Sequence, residues 1–182
     1  MERLFIALNI PRNIREKIIT FRNEANPDFE KYKWEAEEKI HLTLKFIGEV
    51  RKEQTKQIAE AIQFVQEYNS FNCLLTHFGF FIKNRVPKIL WIGLNLDACI
   101  DELVERLNAE LEKFSIASEK RKFRAHLTLR RMKGDENKDF MESFENYIVP
   151  EVKFKAGEIS LMKSELLPTG SKYIEVKNYK LK

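Results

Sequence analysis

The chain has 182 residues, of which 43% are hydrophobic and 33% are charged, and its formal net charge is +4. A chain of this length and apolar content can bury a sizeable core, so we expect one domain over residues 1–182, present as a monomer. Without an apolar run of about 18 residues, a signal-peptide pattern or a CxxC pair, the sequence argues against a membrane span, secretion and a zinc knuckle, and we expect a cytoplasmic protein.

Strand-like and helix-like segments alternate along the chain. Residues 3–9 predict a strand, and Pro11 then favours a helix start, because proline loses no hydrogen bond in the first helical turn. Apolar residues three or four apart predict that helix, two more around residues 52–68 and 96–114, and a weaker one over 138–147. The remaining runs predict strands over 41–47, 71–81, 88–94, 123–130, 152–163 and 172–177. This mixture indicates an α+β fold.

The tetrapeptide HLTL occurs twice, at residues 41 and 126, each time in a predicted strand that is followed by a loop and a helix. Because side chains alternate across a strand, His41 and Thr43 share one face, and so do His126 and Thr128, while the leucines face the core. The matching surroundings indicate two similar α+β units related by an approximate twofold. Two such strands meeting across it would present both histidines and both threonines to one cleft.

Two imidazoles facing each other across a phosphate form an acid–base pair, because one can accept a proton while the other donates one near neutral pH. Threonine hydroxyls can donate hydrogen bonds to phosphate oxygens, and a nearby arginine can balance charge in the transition state. These parts fit phosphodiester transfer. A zinc site on His41 and His126 would need a third ligand, and no HxH or HExxH spacing supplies one.

The stretch EKRKFRAHLTLRRMK, residues 119–133, concentrates basic residues around the second motif. Its cations are Lys120, Arg121, Lys122, Arg124, Arg130, Arg131 and Lys133. Such a cluster attracts phosphate and is typical of a nucleic-acid partner. A solvated basic strand edge would have the same composition, so charge alone leaves both interpretations open. Lys45 and Arg124 are candidates for the rim of the cleft.

HLTLKF and HLTLRR resemble the paired HxT motifs of the 2H phosphoesterase superfamily. The surrounding sequence is similar to its branch of RNA 2′,3′-cyclic phosphodiesterases and 2′-5′ RNA ligases. The similarity extends over nearly the whole chain, through RLFIALNIP, WEAEEKIHLTLKFIGEV, KILWIGL, FRAHLTLRR and ISLMKSELLPTGSKYIEV. It implies a bilobal, pseudo-twofold α+β fold with two antiparallel sheets lining a central cleft and helices outside. It also implies one HxT motif from each lobe, and neither a metal nor a cofactor.

The resemblance also implies the site residues. His41 and His126 would be catalytic, with His41 as the acid and His126 as the base, and Thr43 and Thr128 would bind substrate phosphate. Relatives carry a phosphate-binding arginine five residues after the second motif histidine, which corresponds to Arg131. Strand alternation instead favours Arg130 for the face of the histidines, unless a bulge intervenes.

The implied activity opens RNA 2′,3′-cyclic phosphate ends to 2′-phosphates and, with an RNA 5′-hydroxyl as acceptor, forms 2′-5′ bonds. The partner would be RNA with such ends, of which tRNA halves are one example. Two alternatives stay open: a non-catalytic RNA- or nucleotide-binding module, and a phosphodiesterase for small cyclic nucleotides. The side chains of Trp34, Tyr32, Trp91 and Phe46 could stack on a base, although aromatics at strand spacing are more often core. His77, the third histidine, lacks a threonine two residues on and favours a structural role.

Overall fold

A computed structural model describes residues 1–119, 121–134, 136–168 and 170–182. Each of the predicted helices is present, and the α+β class is confirmed. In chain order the elements are β1 (Glu2–Asn9), α1 (Arg12–Ala25), β2 (His41–Val50), α2 (Lys52–Ala61), β3 (Phe71–Lys83), β4 (Val86–Leu96), α3 (Cys99–Glu112), β5 (His126–Arg131), α4 (Lys138–Glu145), β6 (Lys153–Ala156), β7 (Glu158–Leu167) and β8 (Gly170–Lys180).

All strand pairs are antiparallel, and the strands follow the order β6-β3-β4-β5-β2-β1-β7-β8. We call β2-β1-β7-β8 lobe 1 and β6-β3-β4-β5 lobe 2. The lobes join where β2 meets β5, and within the described ranges these two strands pair at Leu42 with Leu127. The two expected sheets are therefore two four-stranded halves of one curled sheet, and the bilobal fold is confirmed.

The two lobes repeat one connectivity. The succession β1-α1-β2-α2 in lobe 1 returns as β4-α3-β5-α4, and the motif strands β2 and β5 become neighbours at the centre of the sheet. Leucines of both motifs are buried in the core, at 0% exposure for Leu42 and Leu127. Their burial leaves the alternate side chains, the histidines and threonines, on the opposite face of the sheet.

One predicted strand was wrong. Residues 152–163 are two strands, β6 and β7, separated at Gly157. β6 pairs with β3 in lobe 2, whereas β7 pairs with β1 in lobe 1, so the chain crosses between lobes at this glycine. Apolar residues alternate on both sides of the crossing, at positions 152, 154 and 156 and then at 159 and 161. A change of phase by one residue is thus the local sign of the crossing, and the segment was predicted as one strand.

None of the helices in the described ranges is long and apolar enough to cross a membrane. Apolar side chains of the helices pack against one face of the sheet, among them Ile18 of α1, Ile58 of α2, Leu107 of α3 and Phe140 of α4. The other face carries the two HxT motifs.

Candidate active site

The register between β2 and β5 sets the motifs side by side. Because the leucines that follow the two histidines are paired in antiparallel strands, His41 lies opposite Thr128 and His126 lies opposite Thr43. Facing residues of neighbouring strands have Cα atoms roughly 5 Å apart. The structure thus brings both predicted histidines and both predicted threonines together on one face.

His41 is held by polar contacts at both ring nitrogens and by two aromatic rings. Its Nδ1–H donates to the Lys39 carbonyl at 2.7 Å, and its Nε2 lies 3.1 Å from the Thr43 hydroxyl. The ring stacks on Phe5 with centroids 5.0 Å apart, and the edge of Tyr173 meets it at 5.6 Å. A carbonyl can only accept, so Nδ1 carries the proton in the neutral ring and Nε2 is the basic nitrogen.

His126 has the same backbone anchor in a more open setting. Its Nδ1–H donates to the Arg124 carbonyl at 2.7 Å, and Phe81 packs against the ring at 4.7 Å between centroids. Trp91 lies beyond, with its ring centroid at 6.4 Å. Within the described ranges, Nε2 of His126 has no hydrogen-bond partner. It is therefore free to take a proton from a group entering the cleft.

Burial dominates the titration of both imidazoles. The pKa of His41 is lowered to about 4, chiefly because burial disfavours the charged ring, and the nearby charges of Arg131 and His126 lower it further. The hydrogen bonds to the backbone carbonyls act in the opposite direction in both histidines. The pKa of His126 is also lowered, by burial first and by Arg131 next. Both rings are therefore neutral at pH 7 in the free protein.

A bulge in β5 decides between the two arginines. In the pairing with β4, Thr128 faces Trp91 and Arg130 faces the adjacent Leu90, so Leu129 is an extra residue in β5. Alternation restarts after the bulge. Arg131 therefore lies on the face of the histidines, where its charge lowers the pKa of both.

Arg131 is exposed and, among the residues that the structure describes, has one carboxylate neighbour. Its side chain is 61% exposed, and its Nε lies 3.4 Å from Glu35 Oε1. The backbone N–H of Glu35 donates to the Leu129 carbonyl at 2.9 Å, which ties that segment to β5. Sequence reasoning missed Glu35, and no motif in the chain distinguishes it from the neighbouring acids.

Arg130 points to the opposite side and is buried. Its guanidinium pairs with Glu136 at 2.5 Å, with both side chains at most 3% exposed, and donates to the Lys33 carbonyl at 2.6 Å. The rings of Tyr32 and Trp34 flank the same group. Arg130 is thus part of the packing behind the site, and its position does not support phosphate binding.

Lys45 is the counterpart of Arg130 in lobe 1, because β2 contains the same bulge between Thr43 and Lys45. Lys45 is 2% exposed, and its Nζ donates to the Ala117 carbonyl at 2.7 Å. The expectation that it lines the rim of the cleft was wrong for this reason. Phe46 takes the place that corresponds to Arg131 and is 58% exposed.

The basic stretch divides in the structure. β5 is a central strand, so the interpretation as a strand edge was wrong. Arg121, Lys122 and Arg124 are exposed ahead of the motif, and Lys120 lies outside the described residues. His77 is exposed, and its ring packs edge to face with that of Trp91 at 5.4 Å between centroids, so its structural role stays a prediction.

Space for a ligand adjoins His41 on lobe 1. A depression of about 580 Å³ is lined by polar and charged groups that include Asn9, Arg15, Glu38 and Lys180. In the described part of the chain, no group of three or more His, Cys, Asp or Glu side chains could hold a metal ion. Metal independence stays a prediction.

Comparison with known proteins agrees with this geometry. The LigT like Phosphoesterase family matches residues 8–91 and 95–173. The RNA 2′,3′-cyclic phosphodiesterase of Methanocaldococcus jannaschii is 30% identical over 181 residues, which cover 97% of this chain and 99% of that protein. A protein of Thermus thermophilus has a TM-score of 0.79 at 24% identity, with 98% of this chain and 97% of that one covered. For LigT of Escherichia coli in apo form, the TM-score is 0.77 at 25% identity, with coverages of 99% and 97%.

Two HxT motifs on the central strands of a pseudo-twofold sheet define a 2H phosphoesterase. The family match includes both motifs and most of the chain, and the alignment with the Methanocaldococcus jannaschii relative covers 97% of the chain. The chain belongs to the LigT-like phosphoesterase family.

Proposed function

We propose that this phosphoesterase opens RNA 2′,3′-cyclic phosphate ends to 2′-phosphates and also joins them to RNA 5′-hydroxyl ends through 2′-5′ bonds. The observation that carries the proposal is the meeting of His41, Thr43, His126 and Thr128 on one open face. The name of the Methanocaldococcus jannaschii relative supports the RNA substrate. Such ends occur on tRNA halves, among other cleaved RNAs.

The proposed hydrolysis uses the two Nε2 atoms on opposite sides of phosphorus. Nε2 of His126 accepts a proton from the attacking water, and His41 donates a proton to the ribose 3′ oxygen as the P–O3′ bond breaks. The product carries a 2′-phosphate and a free 3′-hydroxyl. The unpaired Nε2 of His126, seen within the described ranges, supports its role as the base.

Substrate charge prepares His41 for the role of acid. In the free protein its pKa is about 4, so the ring is neutral at pH 7 and cannot donate. An anionic phosphate about 4 Å away stabilises the charged ring by roughly 4 kcal/mol at an effective dielectric constant near 20. That energy is enough to return the pKa of His41 to the neutral range, since one pKa unit corresponds to about 1.4 kcal/mol.

Arg131 and the threonine hydroxyls would hold the phosphate itself. Arg131 is exposed on the same face, and its fixed charge can bind nonbridging oxygens that gain charge in the transition state. The Thr43 hydroxyl contacts Nε2 of His41 in the free protein, so bound phosphate would take over that hydroxyl. Nε2 of His41 would then be released to exchange a proton.

The decisive experiment is product analysis with an RNA that ends in a 2′,3′-cyclic phosphate, after treatment of the protein with EDTA. A 2′-phosphate product is expected without an acceptor, and a 2′-5′ linked product is expected with a 5′-hydroxyl RNA. If the protein opens neither RNA nor nucleoside cyclic phosphates, the proposal is wrong. Activity that EDTA abolishes and added metal restores would contradict the metal-independent mechanism.

The same assay separates the alternatives. A non-catalytic binding module would retain salt-sensitive RNA binding without turnover, since lysine and arginine supply most of such affinity. A phosphodiesterase for small cyclic nucleotides would open these substrates faster than RNA ends. Phe46, exposed at 58% on the cleft side of β2, offers a ring for a base in either enzyme.

Replacing Thr43 or Thr128 by valine should lower kcat by about one to two orders of magnitude. Valine keeps the β-branched shape but removes the hydroxyl donor to the phosphate. Steady-state kinetics on a cyclic phosphate substrate measure the effect, with thermal unfolding as the check on folding. Wild-type rates in both variants would assign the hydroxyls to the fold instead.

The pH optimum of kcat/KM should lie below that of kcat. The pH profile of kcat/KM reports the free enzyme, in which the pKa of both histidines is lowered. Both limbs of that profile should therefore lie at more acidic pH. Bound phosphate raises both values and moves the kcat profile to higher pH. Full pH profiles of both constants test this, and the apparent values belong to the coupled pair. Coincident optima would show that the phosphate does not shift the histidines.

A further inference from the structure

The open face of lobe 2 continues the active-site surface away from His126. Gly93 of β4 pairs with His126, and two residues further along the same face Asn95 pairs with Leu74 of β3. Leu74 in turn pairs with Lys153 of the outermost strand, β6. From strand spacing, the path from His126 to Lys153 is roughly 16 Å. A few nucleotides of single-stranded RNA can cover this distance.

An aromatic surface lies beside the start of this path, on the side of Gly93 away from Asn95. Trp91 is the cross-strand partner of Gly79, and its indole lies over that glycine so closely that an added methyl would overlap the ring. The absence of a side chain at Gly79 therefore lets the indole lie flat on the sheet. Phe81 packs against both Trp91 and His126, with centroid distances of 5.4 and 4.7 Å. Flat, half-buried rings on an open sheet face are suited to stacking with bases.

A basic depression ends the path. It has a volume of about 560 Å³ and is lined by Asn72, Leu74, Asn95, Lys153 and Lys155, among others. Lys153 pairs with Glu151 at 3.0 Å while both side chains are 69% exposed, so water and salt weaken that pair.

The charges at this depression favour a polyanion. Asp97 accepts the backbone N–H of Asn72 at 2.8 Å, which uses part of its capacity inside the protein. Lys155 is exposed and has no ion pair in the described ranges.

The depression beside His41 in lobe 1 differs in its position. Its lining carries charges of both signs, from Arg12, Arg15 and Lys180 and from Glu38 and Glu158. It adjoins His41, the proposed acid, whereas the face of lobe 2 adjoins His126, the proposed base that takes the proton of the nucleophile.

We propose that the open face of lobe 2, from Phe81 and Trp91 to Lys153 and Lys155, binds the RNA that supplies the 5′-hydroxyl in ligation. The proposal rests on the proposed function and adds the subsite of the second substrate. The face passes beside His126, which takes the proton of the nucleophile in the proposed mechanism. Water needs no such surface, whereas an RNA end needs one to occupy the place of water.

The ligation step balances without a further reactant. The 5′ oxygen of the acceptor attacks phosphorus, and its proton passes to Nε2 of His126. The P–O3′ bond breaks, and His41 donates a proton to the leaving 3′ oxygen. One 2′-5′ phosphodiester and one 3′-hydroxyl result, and the protonated His126 and neutral His41 exchange the proton difference with solvent before the next turnover.

The test measures the ratio of ligated to hydrolysed product from one cyclic phosphate donor in the presence of a 5′-hydroxyl RNA oligomer. Lys153→Ala combined with Lys155→Ala should lower this ratio about tenfold. It should also flatten the dependence of acceptor kcat/KM on salt, by about 0.7 in the log–log slope for each lost phosphate contact. The matched control is Lys52→Ala with Lys56→Ala, two exposed lysines one turn apart on α2, which should leave the ratio unchanged.

Each other outcome overturns the assignment. An unchanged ratio in the Lys153 and Lys155 variant, or hydrolysis without any ligated product in the wild type, removes the acceptor subsite and leaves the phosphodiesterase intact. If the loss of activity in this variant increases with the length of the cyclic phosphate donor, the donor strand lies on this face instead. If no cyclic phosphate is opened at all, the proposed function fails. In that case, fluorescence anisotropy measures the affinity of the 5′-hydroxyl oligomer for wild type and variant. Equal affinities would show that the open face of lobe 2 does not bind this RNA.

Discussion

The single variants His41→Ala and His126→Ala should each have a kcat lower by about two to four orders of magnitude, the usual contribution of a general acid or base. Because acid and base act in one transition state, the double variant should lose little more than the worse single variant. Steady-state and single-turnover rates on a cyclic phosphate substrate measure these losses. A double-mutant cycle then gives the coupling between the two rings directly.

The pH profile distinguishes the two roles. Wild-type kcat should follow a bell with one limb from the ring that must be neutral and one from the ring that must be charged. The His126→Ala variant should lose the acid limb, because no base then has to be deprotonated, and the His41→Ala variant should lose the alkaline limb. The reverse assignment of limbs would exchange the two roles. Additive losses in the double variant would show that the histidines do not act on one phosphate.

The motif strands illustrate what the sequence could predict. The repeat of HLTL, with leucines two apart, identifies strands that bury one face and open the other. The structure agrees, with Leu42 and Leu127 fully buried and His41 beside Thr128 on the open face. Local alternation is sufficient here because burial enforces it residue by residue.

Features that depend on distant pairing could not be predicted in the same way. The crossing at Gly157 depends on which strand pairs with each half of the segment, and its local sign is a one-residue change in the phase of the apolar alternation. The bulge at Leu129 adds one residue against β4, which strand periodicity does not reveal. Family resemblance favoured Arg131 and alternation favoured Arg130, and the bulge that places Arg131 on the face of the histidines depends on pairing that the sequence does not show.

The apolar rings around the histidines were also missed. Phe5 stacks on His41 and Phe81 packs against His126, yet both residues stand in ordinary strand sequences. Their effect is indirect: they help bury the imidazoles, and burial is the largest cause of the lowered pKa in each. The titration of the site thus depends on side chains that carry no catalytic motif.

Arg130→Ala should lower the free energy of unfolding by about 3–5 kcal/mol, the usual cost of removing one partner from a buried ion pair. Glu136 is fully buried against Arg130 and would be left without its cation. Arg131→Ala should change stability by less than about 1 kcal/mol, because the Arg131 side chain is 61% exposed and its 3.4 Å contact with Glu35 is long. Urea unfolding of the two variants measures this difference.

The same two variants should have the opposite order in catalysis. Arg131→Ala should lower kcat/KM by about one to two orders of magnitude, because it removes the exposed cation on the face of the histidines. Arg106→Ala, which removes an exposed arginine paired with Glu67 on the outer side of α3, is the matched control and should keep wild-type kinetics. Under conditions where it remains folded, Arg130→Ala should retain most of the activity, since its guanidinium faces away from the cleft. Wild-type kinetics in Arg131→Ala, together with loss of turnover in folded Arg130→Ala, would assign the phosphate contact to Arg130 and would require β5 to lack the bulge.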